Sequence, residues 1–265
     1  FIVSITNSIF TNIYLIVIGK IFTPASLGFY YRAETLYKYP VTLINSVVNQ
    51  VSFPVFSKIQ DNKLILKEFL STAISSVAFI IFPVMIGLIV IANPLIEIIL
   101  TEKWLPSVIY LQLFCIIGMI YPIQGINLNV LNALGRSDLY LKVDLINKLI
   151  IIITIFISFR FGIIIMILGQ IFNNMIAYYL YTFYIGKLLN YSFLKQIKEM
   201  SLTFILSLIM GVLVFLIKFL NIENQLLFLV VQIFTGVVSY IILCYYTKLK
   251  SFVYFLTLLK KSINI

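Results

Sequence analysis

The chain has 265 residues, 62% of them hydrophobic and only 11% charged, yet its net charge is +10. A soluble domain is about half apolar and about a quarter charged, so a mean hydropathy of +1.10 excludes a water-soluble globule. It also excludes disorder, collagen and disulfide scaffolds. What remains is a chain with lipid as its solvent. A spanning helix takes about 20 apolar residues, so eight would use ~160, close to the apolar fraction.

Charges and prolines divide the apolar runs into eight candidate spans, at about 1–19, 39–57, 71–93, 108–133, 143–159, 161–185, 200–217 and 225–246. Membrane barrels need short alternating segments. Leu149 to Ile157 shows no alternation, so the expected fold is all-α, a polytopic membrane helix bundle. The chain starts at Phe1, inside an apolar run without a charged leader. It therefore reads as a fragment of a longer protein rather than as a signal peptide.

Taken in order, the first span carries Ser4, Asn7, Ser8, Thr11 and Asn12 on one helical face. A loop expected outside the membrane then brings Arg32, Glu34 and Lys38 together, as an external gate, an anion site or a solvated loop. The second span carries Thr42, Asn45, Ser46 and Asn49, with Gln50 alongside, and Phe53-Pro54 is expected to cap it at the membrane boundary. Pro94 to Pro106, with Trp104, reads as an interfacial element. The fourth span holds Gln124 and Asn127, flanked by Asn129 and Asn132. Asp144 and Lys148 enter the fifth one turn apart, as a local ion pair or, in the sharper reading, a coupling-ion site at Asp144. The sixth holds Gln170, Asn173, Asn174, Tyr178 and Tyr181. Lys248 to Lys261 mixes aromatics, leucines and four lysines, as an amphipathic helix on an anionic leaflet or a frayed tail.

The amide stripes allow two readings. Ser, Thr and Asn hydrogen-bond between helices as packing glue at ~0.6 kcal/mol each. Alternatively, they line a hydrated cavity. Uncharged donors and acceptors around water suit a polyhydroxylated or phosphorylated solute and suit a metal poorly.

Thirteen of the 19 basic residues fall on the side of the 58–70 loop, which places that loop and the C-terminus in the cytoplasm. There is no histidine, and Cys115 and Cys244 sit in separate apolar runs as small buried hydrophobes. No nucleophile elbow or Gly-rich phosphate loop is present, and the Asn190-Tyr191-Ser192 sequon lies on the expected cytoplasmic side. No enzyme activity, cofactor, metal or nucleic-acid partner is therefore expected.

Several motifs in order resemble Wzx-type polysaccharide flippases. They are Leu27-Gly28-Phe29-Tyr30-Tyr31-Arg32-Ala33, Val51-Ser52-Phe53-Pro54-Val55-Phe56-Ser57-Lys58-Ile59-Gln60-Asp61, Phe82-Pro83 with Gly87-Leu88, Glu102-Lys103-Trp104 with Leu111-Gln112-Leu113 and Cys115, and Ala133-Leu134-Gly135-Arg136-Ser137-Asp138. Thr101 stands where those proteins usually have Gly. The resemblance covers about residues 10–150 and is only hydropathic beyond. It implies the MOP exporter superfamily, with two six-helix lobes and often two additional helices. Residues 1–187 would be the second lobe and residues 188–265 the additional pair with a basic cytoplasmic tail.

The implied activity is translocation of an undecaprenyl-diphosphate-linked oligosaccharide across the bacterial inner membrane by alternating access. Candidate cavity residues are Asn7, Asn12, Asn45, Asn49, Gln124, Asn127, Gln170, Asn173 and Asn174; Arg32, Lys38 and Lys148 are the candidates for the diphosphate or a gate. Expected partners are the lipid-linked oligosaccharide, membrane lipids, the absent N-terminal lobe and other polysaccharide assembly proteins. A drug antiporter of the same superfamily and a membrane-embedded polysaccharide polymerase are the alternatives.

Overall fold

The structure is a computed structural model. It describes residues 2–263 except Asn221, and the side chains of residues 1–9, 11 and 258–265 lie outside the described set. The helices are α1 (Ile2–Ile21), α2 (Pro24–Ile59), α3 (Lys63–Leu100), α4 (Val108–Ala133), α5 (Ser137–Ser158), α6 (Ile163–Leu189), α7 (Phe193–Leu216), α8 (Gln225–Tyr246) and α9 (Lys250–Ile263). Three short 3-10 turns sit at helix ends. Among the described residues there is no strand.

Each expected span falls on its own long helix. Five helical stretches are long and apolar enough to cross a membrane: Lys63–Leu100, Glu102–Ala133, Ile163–Leu189, Phe193–Leu220 and Gln225–Tyr246. The fold is thus a polytopic membrane bundle, because only closed backbone hydrogen bonding survives in hydrocarbon.

Local chemistry sets the helix ends. Thr23 caps α2 by accepting from the Ser26 amide at 3.2 Å, and Pro24 occupies the first turn, where its missing N–H costs nothing. Asn62 caps α3 by accepting from the Leu64 and Ile65 amides at 3.1 and 3.2 Å. The α4–α5 turn closes through Gly135, at φ +70°, with the Arg136 amide donating to the Leu131 carbonyl at 2.9 Å. That left-handed backbone favours glycine.

Three expectations change. The stretch before the second span is not a loop: α2 is helical from Pro24, so Arg32, Glu34 and Lys38 ride on a helix. Phe53-Pro54 does not cap that helix, since Pro40 and Pro54 both lie inside α2, which continues to Ile59. Pro94 lies inside α3, and only Glu102–Ser107, with Trp104, is a separate turn. All three share a cause. Prolines and charges mark boundaries along a sequence, but in a membrane bundle neighbouring helices and local adjustments accommodate them within helices.

α4 is the centre of the bundle, packed on α2, α3 and α6; α5 covers α6, while α7 and α8 pack along α3. Tyr37 stacks on Phe114 of α4 at 4.9 Å and Tyr30 meets the same ring edge-on at 5.1 Å. Phe29 meets Trp104 edge-on at 5.8 Å, which joins two of the sequence motifs at the start of α2.

Candidate functional site

The amides divide into two sets. The first is buried and satisfied across helices. Asn127 of α4 and Gln196 of α7 exchange hydrogen bonds at 3.2 and 3.1 Å, and the Tyr178 hydroxyl donates to Gln196 Oε1 at 3.0 Å. Asn127 and Gln196 are both fully buried. Asn173 of α6 donates to the Tyr14 hydroxyl at 3.2 Å and accepts from Thr154 Oγ1 at 2.9 Å. Gln124 donates to the Asn174 carbonyl at 2.6 Å. Gln170 donates to the Tyr30 hydroxyl at 2.9 Å, and Asn174 donates to the Gln170 carbonyl at 3.0 Å. Asn127, Gln124 and Asn173 thus act here as interhelical glue, and Gln170 and Asn174 are half-buried beside them.

The second set is open. On α2, Thr42, Ser46, Asn49 and Gln50 are exposed, interleaved with exposed Tyr31, Tyr39, Leu43 and Val47. Asn12 of α1 is also exposed. Asn49 accepts from Asn129 Nδ2 at 3.0 Å, and Thr42 and Ser46 bond back to carbonyls of their own helix. Asn45 is half-buried next to Gly125, and its Oδ1 has no hydrogen-bond partner among the described residues. The Asn7 side chain lies outside the described residues.

The ionic residues are sorted by their partners. Lys38 pairs with Glu34 at 2.8 Å and Lys148 with Asp144 at 2.7 Å, each within one helical turn. Lys148 also lies over the Phe10 ring, 5.6 Å from its centroid. Arg32 packs over the Trp104 ring at 5.4 Å and makes no ion pair among the described residues. Those residues contain no group of three or more metal-ligating side chains.

Behind the open face of α2 lies an apolar groove of about 520 Å³ between α2, α3, α7 and α8. Pro40, Pro83, Gly87, Met210 and Gly236 are among its walls, together with Gln232 and Tyr240. Gln232 is buried, and its Oε1 has no partner among the described residues. Sequence reasoning missed both the groove and Gln196. The groove is assembled from four helices. Gln196 sits in a lysine-rich start of α7 that reads as solvated.

The class that fold and site define is a multi-pass helical membrane bundle with an amide-lined open face and an apolar groove. The solved lipid II flippase MurJ, inward closed conformation, shares that fold, with a TM-score of 0.70 over 84% of this chain and 47% of that chain at 20% identity. Residues 1–109 match a family described as polysaccharide biosynthesis protein. The chain is 33% identical over 135 residues to the teichuronic acid biosynthesis protein TuaB of Bacillus subtilis, covering 51% of this chain and 28% of that protein. It is 30% identical over 210 residues to the lipopolysaccharide biosynthesis protein WzxC of Escherichia coli, covering 77% of this chain and 42% of that protein. The chain therefore spans less than half the length of these relatives. These matches bear out the resemblance to Wzx-type polysaccharide flippases over the residues they cover.

Proposed function

We propose that this chain forms the second lobe, residues 1–187, and the additional helix pair, residues 188–265, of a transporter for a lipid-linked oligosaccharide. The carrier lipid is undecaprenyl diphosphate, the membrane is the bacterial inner membrane and the C-terminus is cytoplasmic. A first lobe packs opposite α1 and α2, and the two rock around the glycan. The exposed amides and hydroxyls of α2, with Asn12, bond sugar hydroxyls. The apolar groove holds part of the polyprenyl chain. No bond is made or broken, so the protein is not an enzyme, and it works beside other polysaccharide assembly proteins.

The observation that carries this reading is Arg32. Of the three cations near the expected cavity mouths, Lys38 and Lys148 each have a carboxylate within 2.8 Å, while Arg32 has no ion pair among the described residues. A guanidinium held over an aromatic ring keeps its charge and its fork of N–H donors for a diphosphate. A coupling ion at Asp144 has to displace the Lys148 ammonium, which makes that site conditional on breaking the pair.

The test uses the full-length protein in its native strain. Arg32→Gln is expected to leave the protein folded and membrane-inserted and to strand lipid-linked repeat units on the inner leaflet, lowering surface polysaccharide at least tenfold, about 1.4 kcal/mol of lost binding. Lys38→Gln is expected to lower it less. Normal export by the Arg32 variant overturns the assignment.

A further inference from the structure

We infer that α9 is an in-plane helix of the cytoplasmic interface that binds anionic phospholipid headgroups. The inference rests on the orientation proposed above. The first observation is depth. Trp104 marks the outer interface just after α3 ends at Leu100. The third span is expected to reach its inner end near residue 71, and α8 reaches its own at Tyr245 and Tyr246, where amphipathic rings are favoured. α9 follows directly and packs on the inner half of that third span: the Phe79 ring lies 6.1 Å from Phe252, 6.4 Å from Phe255 and 5.5 Å from Tyr240.

The second observation is direction. Lys248 adopts φ +49°, and the Leu249 amide donates to the Cys244 carbonyl at 3.2 Å. This closes α8 and turns the chain before α9 starts at Lys250. Leu249, Ser251 and Phe252 are buried against the bundle, while Val253, Tyr254 and Phe255 are each about half exposed. An aromatic and apolar surface of that kind, next to α3 at the boundary, has interfacial lipid as its natural medium.

The third observation is charge. From Asn224 to Ile265 the sequence contains Lys248, Lys250, Lys260 and Lys261 and no acidic residue. Lys250, Tyr254, Thr257 and Lys261 repeat at the spacing of one helical stripe. A stripe of lysines and hydroxyls beside an apolar face, without acids to neutralise it, complements the phosphates of an anionic leaflet.

The experiment uses the full chain with Val253→Cys carrying a bimane label; Cys115 and Cys244 are buried. Emission and quenching by nitroxide-labelled lipid are compared in nanodiscs of phosphatidylcholine and in nanodiscs with about a third phosphatidylglycerol. Both leaflets of a nanodisc have one composition, so the result does not depend on the proposed orientation. Orientation is checked separately, by impermeant labelling of the same cysteine in cells and in inverted vesicles. The expected result is lipid quenching that strengthens with phosphatidylglycerol, weakens at high salt as screening shortens, and loses its lipid dependence roughly tenfold when the four lysines become Gln. The four-Arg variant, which keeps the charge, retains the dependence. Quenching equal in both lipids and unchanged by the Gln substitutions overturns the inference in favour of protein packing alone. The absence of quenching in both lipids overturns it in favour of a solvated helix.

Discussion

Gly118 lies where α4 passes between α2 and α3. A Cβ there would fall 2.6 Å from Met85 Sδ and 3.2 Å from Val41 Cγ2. Met85 is fully buried and Val41 is β-branched, so neither yields cheaply. Gly118→Ala is expected to lower stability by about 1–3 kcal/mol, read as a lower midpoint in detergent unfolding. The amide pair Asn127–Gln196 behaves differently. Gln196→Leu strands a fully buried carboxamide and is expected to cost about 1–2 kcal/mol. Replacing both by Leu is expected to recover most of that, and a double-mutant cycle measures the coupling. At the α4–α5 turn, Arg136 binds Asp138 through two hydrogen bonds at 2.9 and 2.8 Å. The hydrogen bond from Arg136 holds the Asp138 carboxyl down at about 2. A depressed carboxyl stabilises the fold above its usual pKa of ~4 and loses that contribution as pH falls toward 2. Carboxyl NMR of labelled protein is expected to place the Asp138 midpoint near the lower value.

At the scale of elements, α3 is the spine to which the last helices are fastened. Near its N-terminal end, Ser71 donates to Glu199 of α7 at 2.7 Å, and the Tyr191 hydroxyl donates to the same carboxylate. Burial, and then that neighbouring carboxylate, push the Tyr191 phenol up, so it stays a donor. Midway, the Tyr240 hydroxyl of α8 donates to the Phe79 carbonyl at 2.9 Å. At the far end, Gln225 donates to Glu97 at 2.5 Å. With its contacts distributed along the whole of α3, the pair α7–α8 is expected to travel with the lobe and to keep the groove between them open in every state. A flexible bis-maleimide bridge between Glu97→Cys and Gln225→Cys is expected to leave transport by the full-length protein unchanged. Arrest by the bridge would show that the pair moves independently.

At the scale of the whole molecule, the proposed topology assigns 13 of the 19 basic residues to one side of the membrane, and on that reading the net charge of +10 is mainly a matter of orientation. The start of α3 meets the first turns of α7 through Ser71 and Glu199, and its other end meets the start of α8 through Glu97 and Gln225. In intact cells, an impermeant thiol reagent is expected to label Lys103→Cys and to spare Lys198→Cys until the membrane is opened. The reverse pattern would invert the topology.

The linear sequence by itself determined the helical membrane class, the position of each long helix and the family resemblance. These depend on hydropathy, charge and short motifs, which act locally or through the bilayer. It misplaced the ends of α2 and α3, because proline reads as a stop when the neighbours that accommodate it are not in view. It also could not sort the amides. Asn127 and Asn49 look alike along the chain, yet one is sealed by Gln196 from 69 residues away and the other lies open on α2. Only tertiary structure decided that, and with it the pairing that leaves Arg32 without a carboxylate among the described residues and the groove behind α2. Whether a polar side chain is glue or site depends on which partner the packing brings to it, and that partner comes from elsewhere in the chain.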